Sequence, residues 1–193
     1  MQYMIRNGQE REKVIYIIRG LPGSGKSVVS EALLALLNER NIRAQLLSSD
    51  VLRKILTPEP SYSREERDIV YSTLVYIAGL LTQNGVNVVI DATGNLRCYR
   101  ENARTQIEEF FEAYLQCPLE VCMQREAKRD RTYYAPKQVY ARARKGRAPT
   151  VPGIGEPYEP PLKPEIAIDT TKHTPEEGAR KIFETMLRHF QRL

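Results

Sequence analysis

The sequence predicts an α/β fold in which helices cover both faces of a doubly wound, mostly parallel sheet of five strands. Short apolar stretches rich in β-branched residues alternate with helical patterns, which is typical of such a sheet. A chain of 193 residues, 41% hydrophobic and 27% charged, has the size and composition of an ordinary globular domain. We therefore expect residues 1–193 to form a single domain.

The first half of the chain contains three predicted strands and three predicted helices. The strands are expected at residues 14–18, 44–48 and 86–90, and the helices at residues 26–40, 50–56 and 63–84. Apolar residues recur at helical spacing in the first helix, and Pro58 stops the second. The third helix begins with the capping-box pattern of Ser63 and Glu66 and ends at Gly85.

The second half continues the alternation but contains one long irregular segment. Helices are expected at residues 97–109, from 118 to 125 and at 175–193, and strands at 110–115 and 166–169. Residues 126–163 are first basic and then rich in Pro and Gly. This composition predicts a mobile lid rather than sheet.

Several classes of protein are excluded by composition. No apolar run approaches the roughly 20 residues that cross a bilayer, and the N-terminus lacks the apolar core of a signal peptide, so we expect a cytoplasmic protein. Cys98, Cys117 and Cys122 form no CxxC pair, which favours reduced thiols without a metal or disulfide role. His173 and His189 fall away from every predicted site residue, and we expect no role for them.

The net charge of +5 is concentrated in one part of the chain. Residues 125–150 contain nine Lys or Arg against two acidic residues. A local excess of this kind indicates a site for a small anion, whereas a nucleic-acid-coating protein spreads its charge along a face. We therefore expect no nucleic-acid partner, although a solvated, charged helix is the alternative interpretation.

Residues 20–27, with the sequence GLPGSGKS, match the phosphate-loop pattern. The turn follows an apolar strand and opens a helix, so backbone N–H groups and the positive helix end point at a polyphosphate. Lys26 is expected to span the β- and γ-phosphates of ATP, and the Ser27 hydroxyl to bind Mg²⁺. The residues predicted to bind the nucleotide are Gly20, Gly23, Ser24, Gly25, Lys26 and Ser27.

The sequence contains no NKxD motif, which is typical of GTPase switches. It contains two carboxylates in positions that suit a kinase. Asp50 follows the second strand and Asp91 ends the third, at the sheet edge where ligands bind. We expect Asp50 to orient or deprotonate the acceptor hydroxyl and Asp91 to stand on the Mg²⁺ side, although the two roles are exchangeable. Helix or turn capping is the alternative for each residue.

Arginines supply the remaining predicted site residues. Arg125 and the arginines after it are candidate transition-state cations, since phosphoryl transfer depends mainly on positioning and electrostatics. Arg53 and Arg67 suit an anionic acceptor, with a surface salt bridge as the alternative for Arg67. Tyr62 is expected either to stack on an adenine or to pack as a hydrophobic staple against the stem of Arg67 or Ile69.

Three stretches in the second half resemble the adenylylsulfate kinase family of P-loop kinases. They are CPLEVC at residues 117–122, VYARARKG at 139–146 and GIGEPYEPP at 153–161. The likeness extends to the phosphate loop, Asp50 with Arg53, and Ser63 with Arg67. It implies transfer of the γ-phosphate of MgATP to the 3′-hydroxyl of adenosine 5′-phosphosulfate, usually by a homodimer. Arg144, in the second stretch, is a further candidate for binding the substrate.

The sequence departs from this family where the acceptor is chosen. Ser48 replaces an Asp, residues 149–151 replace Lys-Gly-Phe, and residues 94–97 replace Ser-Pro-Tyr-Arg. An Asn and paired Arg that hold the acceptor's acidic end are replaced by Val70, Ser72 and Thr73. Residues 127–135 form an insertion in the lid.

Other functions stay open at this stage. Ser49-Asp50 and Asp91-Ala92-Thr93 resemble the zeta-toxin and polynucleotide-kinase-like group. A kinase of another hydroxyl acceptor, such as a nucleotide-linked compound, a sugar or a polynucleotide 5′ end, is the second hypothesis. A nucleotide-binding regulator without turnover is the third.

Overall fold

The computed structural model describes residues 5–6, 9–10, 14–130, 132 and 135–190. Within these ranges the strands are β1 (Ile5–Arg6), β2 (Gln9–Glu10), β3 (Ile15–Arg19), β4 (Ala44–Ser48), β5 (Asn87–Asp91), β6 (Phe110–Gln116) and β7 (Ile166–Asp169). The helices are α1 (Lys26–Glu39), α2 (Ser49–Leu56), α3 (Arg64–Gln83), α4 (Arg97–Gln106), α5 (Leu119–Lys128), α6 (Val139–Arg144) and α7 (Pro175–Phe190).

Strands β3 to β7 form one parallel sheet in the order β4-β5-β3-β6-β7. The predicted five-stranded α/β fold is confirmed. The strand order reverses at β3, whose neighbours are β5 on one side and β6 on the other, and open α/β sheets bind ligands at the carboxyl ends of strands at such a point. The predicted phosphate loop leaves β3 at this position.

Helices cover both faces of the sheet, and the central strand divides its side chains between them. Tyr16 and Ile18 pack into the core beneath α1 and α7, whereas Ile17 packs into the core beneath α3 and α4. All three are buried. Because helices cover both faces, the central strands β3 and β5 are mainly apolar rather than alternating.

Differences from the predicted elements lie mainly at their ends. Strand β5 runs one residue later than expected, because Asp91 still pairs with Ser48 and Ile18 in the ladder. Helix α4 ends at Gln106, where the buried Ile107 becomes extended, and α5 continues to Lys128. The two-residue pair of β1 and β2 was not predicted, since it is too short to show a pattern. The predicted last three residues of α7, 191–193, lie outside the described residues.

The segment predicted as an irregular lid contains one short helix, α6, that the sequence did not predict. Tyr140 of α6 is buried against Cys122 and Val151 in a small third cluster. This tertiary burial, rather than local propensity, orders the six residues of α6. None of the helices in the described ranges has the length and apolarity needed to span a membrane.

Candidate active site

Residues 20–27 form a glycine-dependent loop between β3 and α1. Gly23 and Gly25 have φ angles of 82° and 99°, which L side chains rarely adopt. A Cβ on Gly23 would lie 2.3 Å from the carbonyl oxygen of Cys122. No side chain among the described residues caps the start of α1, so its first N–H groups suit an anion.

Lys26 is buried at the first turn of α1, and its Nζ donates a 3.0 Å hydrogen bond to the carbonyl oxygen of Leu21. Burial lowers the pKa of the Lys26 ammonium, against the opposing effect of the Asp91 and Asp50 carboxylates. These interactions place Lys26 between the phosphate loop and the two predicted acidic residues.

Ser27 and Asp91 form a direct pair at the carboxyl end of the sheet. The Ser27 hydroxyl donates a 2.6 Å hydrogen bond to Oδ2 of Asp91, so Asp91 contacts α1 rather than capping the turn after β5. A hydroxyl and a carboxylate at one point suit Mg²⁺, which takes few protein ligands and completes its shell with water and phosphate oxygens. No group of three or more acidic, His or Cys ligands occurs among the described residues.

Asp50 stands in the first turn of α2, one position inside the helix, with Ser48 as the N-cap residue. Asp50 is therefore not the capping residue. Burial raises the pKa of Asp50, and the Asp91 carboxylate raises it further, against the opposing effect of nearby cations. A carboxylate with a raised pKa accepts a proton more readily than an ordinary Asp, which suits the predicted role of Asp50.

Arg53 and Tyr62 are held on the predicted acceptor side by one buried carboxylate. Glu66 forms an ion pair with Arg53 and accepts hydrogen bonds from the backbone N–H groups of Ser61 and Tyr62. The Arg53 guanidinium lies 4.7 Å from the centroid of the Tyr62 ring. Tyr62 thus packs on Arg53, and Ile69, one of its two expected staple partners, is 56% exposed.

Arg67 joins the acceptor side to the lid. It is buried, and its Nη2 donates a hydrogen bond to the carbonyl oxygen of Thr150. This contact with the lid backbone replaces the surface salt bridge considered from the sequence.

Arg125 and Arg144, two predicted site residues, differ in their surroundings. Arg125 lines the cleft, but its guanidinium donates hydrogen bonds to Thr170, at 3.0 Å to Oγ1 and 2.8 Å to the carbonyl oxygen. Both of its Nη groups are therefore in contact with the loop after β7. Arg144 is exposed outside the cleft lining, with Nη2 3.7 Å from Sδ of Met123. Its position does not support the predicted substrate contact.

Most of the predicted site residues line one cleft of about 560 Å³. The cleft brings together the phosphate loop, both carboxylates, Arg53, Arg67, Tyr62 and Arg125. Gly20 and Ser24 lie in the loop behind this lining, and Ser24 is fully buried.

The cleft also contains residues that the sequence did not single out. They are Arg129, Arg142, Arg147 and His173. The expectation that His173 lies away from the site is wrong, because the loop after β7 returns to the same sheet edge. Local charge density indicated the three arginines as a group, but it could not rank them.

Comparisons with known proteins agree with this geometry. The family model described as adenylylsulphate kinase matches residues 11–169. The adenylyl-sulfate kinase of Gloeothece citriformis is 36% identical over 169 residues, covering 88% of this chain and 91% of that protein. A probable adenylyl-sulfate kinase of Archaeoglobus fulgidus is 35% identical over 156 residues, covering 81% of this chain and 95% of its own length.

A solved structure shows the same likeness in three dimensions. The Mycobacterium tuberculosis APS kinase, in complex with AMPPNP and APS, superposes with a TM-score of 0.81 at 29% identity. The match covers 91% of this chain and 98% of that one. By sequence and by fold, this chain belongs to the adenylylsulfate kinase family.

Proposed function

We propose that this protein is an ATP-dependent kinase that transfers the γ-phosphate of ATP to the 3′-hydroxyl of adenosine 5′-phosphosulfate. The observation that carries the proposal is the convergence in one cleft of Lys26, the Ser27–Asp91 pair and Asp50. Family membership supports the acceptor, because the structural relative was solved with APS bound. We also propose that residues 1–193 act as one kinase domain.

The roles of the residues follow from their positions. The loop N–H groups and Lys26 bind the β- and γ-phosphates, and Ser27 with Asp91 would hold Mg²⁺, which supplies positive charge against the phosphate oxygens. Asp50 accepts the proton of the acceptor hydroxyl as that oxygen attacks phosphorus. The buried Arg53 and Arg67, with Tyr62 beside them, bind the anionic nucleotide acceptor.

The test is product identification with MgATP and adenosine phosphosulfate. We expect ADP and a 3′-phosphorylated nucleotide in equal amounts, detected by mass spectrometry, and no transfer by the Lys26→Ala variant with its fold intact. Transfer that depends on Lys26 also separates an enzyme from a non-catalytic nucleotide-binding regulator.

A different hydroxyl acceptor is the second candidate, because three of the replaced family positions lie outside the cleft lining. Val70 is completely buried in the core, and neither Ser72 nor Thr73 lines the cleft. A panel of sugars, nucleotide-linked compounds and 5′-hydroxyl oligonucleotides distinguishes the two. Faster ADP release with one of these than with adenosine phosphosulfate would replace the first proposal by this one.

Assembly and location stay predictions. Family likeness supports a homodimer, and Ile55, Ile69 and Tyr76 leave large apolar surface exposed on α2 and α3. Light scattering of the purified protein measures its mass in solution and decides between monomer and dimer. The cytoplasmic location is tested by fractionating cells.

A further inference from the structure

Arg129 is the cleft arginine whose surroundings fit a contact with the transferred phosphate. It follows α5 directly and lines the same cleft as Gly25, Lys26 and Asp50. Its side chain is 23% exposed, so it is largely enclosed and still open to a ligand. It also lies in the insertion at residues 127–135, which the family pattern lacks.

The guanidinium of Arg129 is held in place by two acceptors. Its Nη2 donates to the carbonyl oxygen of Pro136 at 2.7 Å and to Oε1 of Glu126 at 3.4 Å. Glu126 is buried and also accepts a 3.2 Å hydrogen bond from the N–H of Val139 at the start of α6. Because Glu126 is fixed by the backbone, it orients Arg129 before any ligand binds.

Donor groups of Arg129 remain available. A guanidinium has five N–H donors, and both contacts described above use Nη2. Its Nε is buried without a hydrogen-bond partner among the described residues. A guanidinium donor that is unpaired beside a phosphate loop suits a phosphate oxygen.

The charge of Arg129 acts on two groups of the candidate site, Lys26 and Asp50. Burial is the largest influence on both groups: it lowers the pKa of Lys26 and raises the pKa of Asp50. The positive charge of Arg129 lowers the pKa of both groups. Arg125 also lines the cleft, but both of its Nη groups donate to Thr170.

We propose that Arg129 is a catalytic residue that binds the γ-phosphoryl group as it is transferred, and that Glu126 is the residue that positions it. The proposal rests on the kinase function proposed above. In the step, the bond between the γ-phosphorus and the oxygen bridging to the β-phosphate breaks, and the bond to the acceptor oxygen forms. The acceptor proton passes to Asp50, ADP leaves, and Arg129 keeps its protons while it stabilises the charge on the phosphoryl oxygens.

The first experiment compares steady-state kinetics of Arg129→Gln with those of the unchanged protein. Loss of one transition-state donor is expected to lower kcat on the order of 100-fold, with KM for MgATP little changed. Arg180→Gln removes an exposed arginine of α7 and is expected to keep full activity. Glu126→Gln is expected to lower kcat less than Arg129→Gln, because an amide oxygen still accepts a hydrogen bond.

The second experiment does not depend on the acceptor. Binding of ADP with Mg²⁺ is measured with and without aluminium fluoride, which mimics the transferred group. The unchanged protein is expected to gain affinity when fluoride is present, and Arg129→Gln is expected to lose that gain while binding ADP alone normally. Arg129→Lys keeps the charge without the planar fork and serves if the Gln variant does not fold.

The outcomes separate the two proposals. Failure of the unchanged protein to phosphorylate adenosine phosphosulfate overturns the proposed acceptor, and the fluoride comparison still decides the role of Arg129. The role of Arg129 would be overturned if aluminium fluoride still increased the affinity for ADP in both Arg129 variants. A kcat for Arg129→Gln close to that of the unchanged protein would also overturn it.

Discussion

The hydroxyl of Ser27 donates a 2.6 Å hydrogen bond to Oδ2 of Asp91, which joins the first turn of α1 to the end of β5. The bond exists because β3, which leads into the phosphate loop, pairs directly with β5 in the sheet. The two oxygens are thereby placed together before a metal or nucleotide binds.

Asp91→Asn is expected to weaken the use of Mg²⁺, because an amide oxygen carries no negative charge for the cation. The Mg²⁺ concentration for half-maximal ADP release should rise about tenfold or more. A titration of MgCl₂ at saturating ATP measures this, and AMPPNP binding with and without Mg²⁺ gives a readout independent of turnover. Glu101→Gln removes an exposed carboxylate on α4 and serves as control; an unshifted Mg²⁺ curve for Asp91→Asn would contradict the assignment.

Asp50→Asn is expected to lower kcat by about 10²–10⁴-fold with little effect on KM for MgATP, because the general base is lost. Burial and Asp91 raise the pKa of Asp50, so the rate should decline as pH falls through this raised value, at a higher pH than an ordinary Asp would give. A pH profile of kcat measures the decline. The residual activity of Asp50→Asn should not show this decline at low pH. If the variant declined in the same way as the unchanged protein, the decline would belong to another group.

The same substitution is expected to act on stability in the opposite direction. A raised pKa in the folded state means that folding disfavours the charged carboxylate, so stability falls as pH rises through the folded pKa. Asp50→Asn should therefore melt no lower than the unchanged protein at neutral pH, and the difference should shrink below the pKa of an unfolded Asp. Thermal melts across this range check the sign, and they also show whether a loss of activity comes from unfolding.

Tyr140→Phe is expected to destabilise the protein through the lid. The Tyr140 hydroxyl donates a 2.8 Å hydrogen bond to the carbonyl oxygen of Pro22, and its removal leaves that acceptor without this donor, at a cost of about 1–3 kcal/mol. Urea unfolding measures the difference. Tyr76→Phe is the matched control, since Tyr76 is 66% exposed and should show no change; equal stabilities for the two variants would count against the lid contact.

Gly23→Ala is expected to abolish nucleotide binding, whereas Gly146→Ala is expected to preserve it. Both glycines have left-handed φ angles, 82° and 70°, so each substitution carries a similar backbone cost of about 1–2 kcal/mol. Only at Gly23 would the new Cβ meet the backbone, 2.3 Å from the carbonyl oxygen of Cys122, whereas nothing lies within 4 Å at Gly146. Calorimetry with AMPPNP compares the two, and normal binding by Gly23→Ala would show that the loop can move away from α5.

Much of the candidate site was predictable because its residues follow predicted elements directly. Lys26 and Ser27 lie in a contiguous motif, and Asp50 and Asp91 stand at the carboxyl edge of a parallel sheet, so strand order alone brings them close. Tyr62 was placed on the acceptor side without its partner. The contact between the Tyr62 ring and the Arg53 guanidinium depends on Glu66, which binds both residues. The local sequence pattern indicates Glu66 only as a member of a capping box.

The basic lid shows where sequence reasoning stops. The charge count could not distinguish Arg125, bound to Thr170, from Arg129, held by Glu126, or from the exposed Arg144. The partner of Arg125 lies 45 residues along the chain, and Glu126, which orients Arg129, is itself held by the N–H of Val139 at the start of α6. The position of His173 could not be predicted for the same reason, because it reaches the cleft through the loop after β7, which is distant in sequence from the phosphate loop.

The amino-acid sequence by itself determined the α/β fold, the phosphate loop and the two carboxylates, because periodicity, glycine spacing and strand ends are local properties of the chain. The tertiary structure decided which arginines enter the cleft, which carboxylate is paired with Ser27 and where α6 forms. These properties arise from packing between segments distant in sequence, and the burial and charge that each side chain meets there follow from that packing.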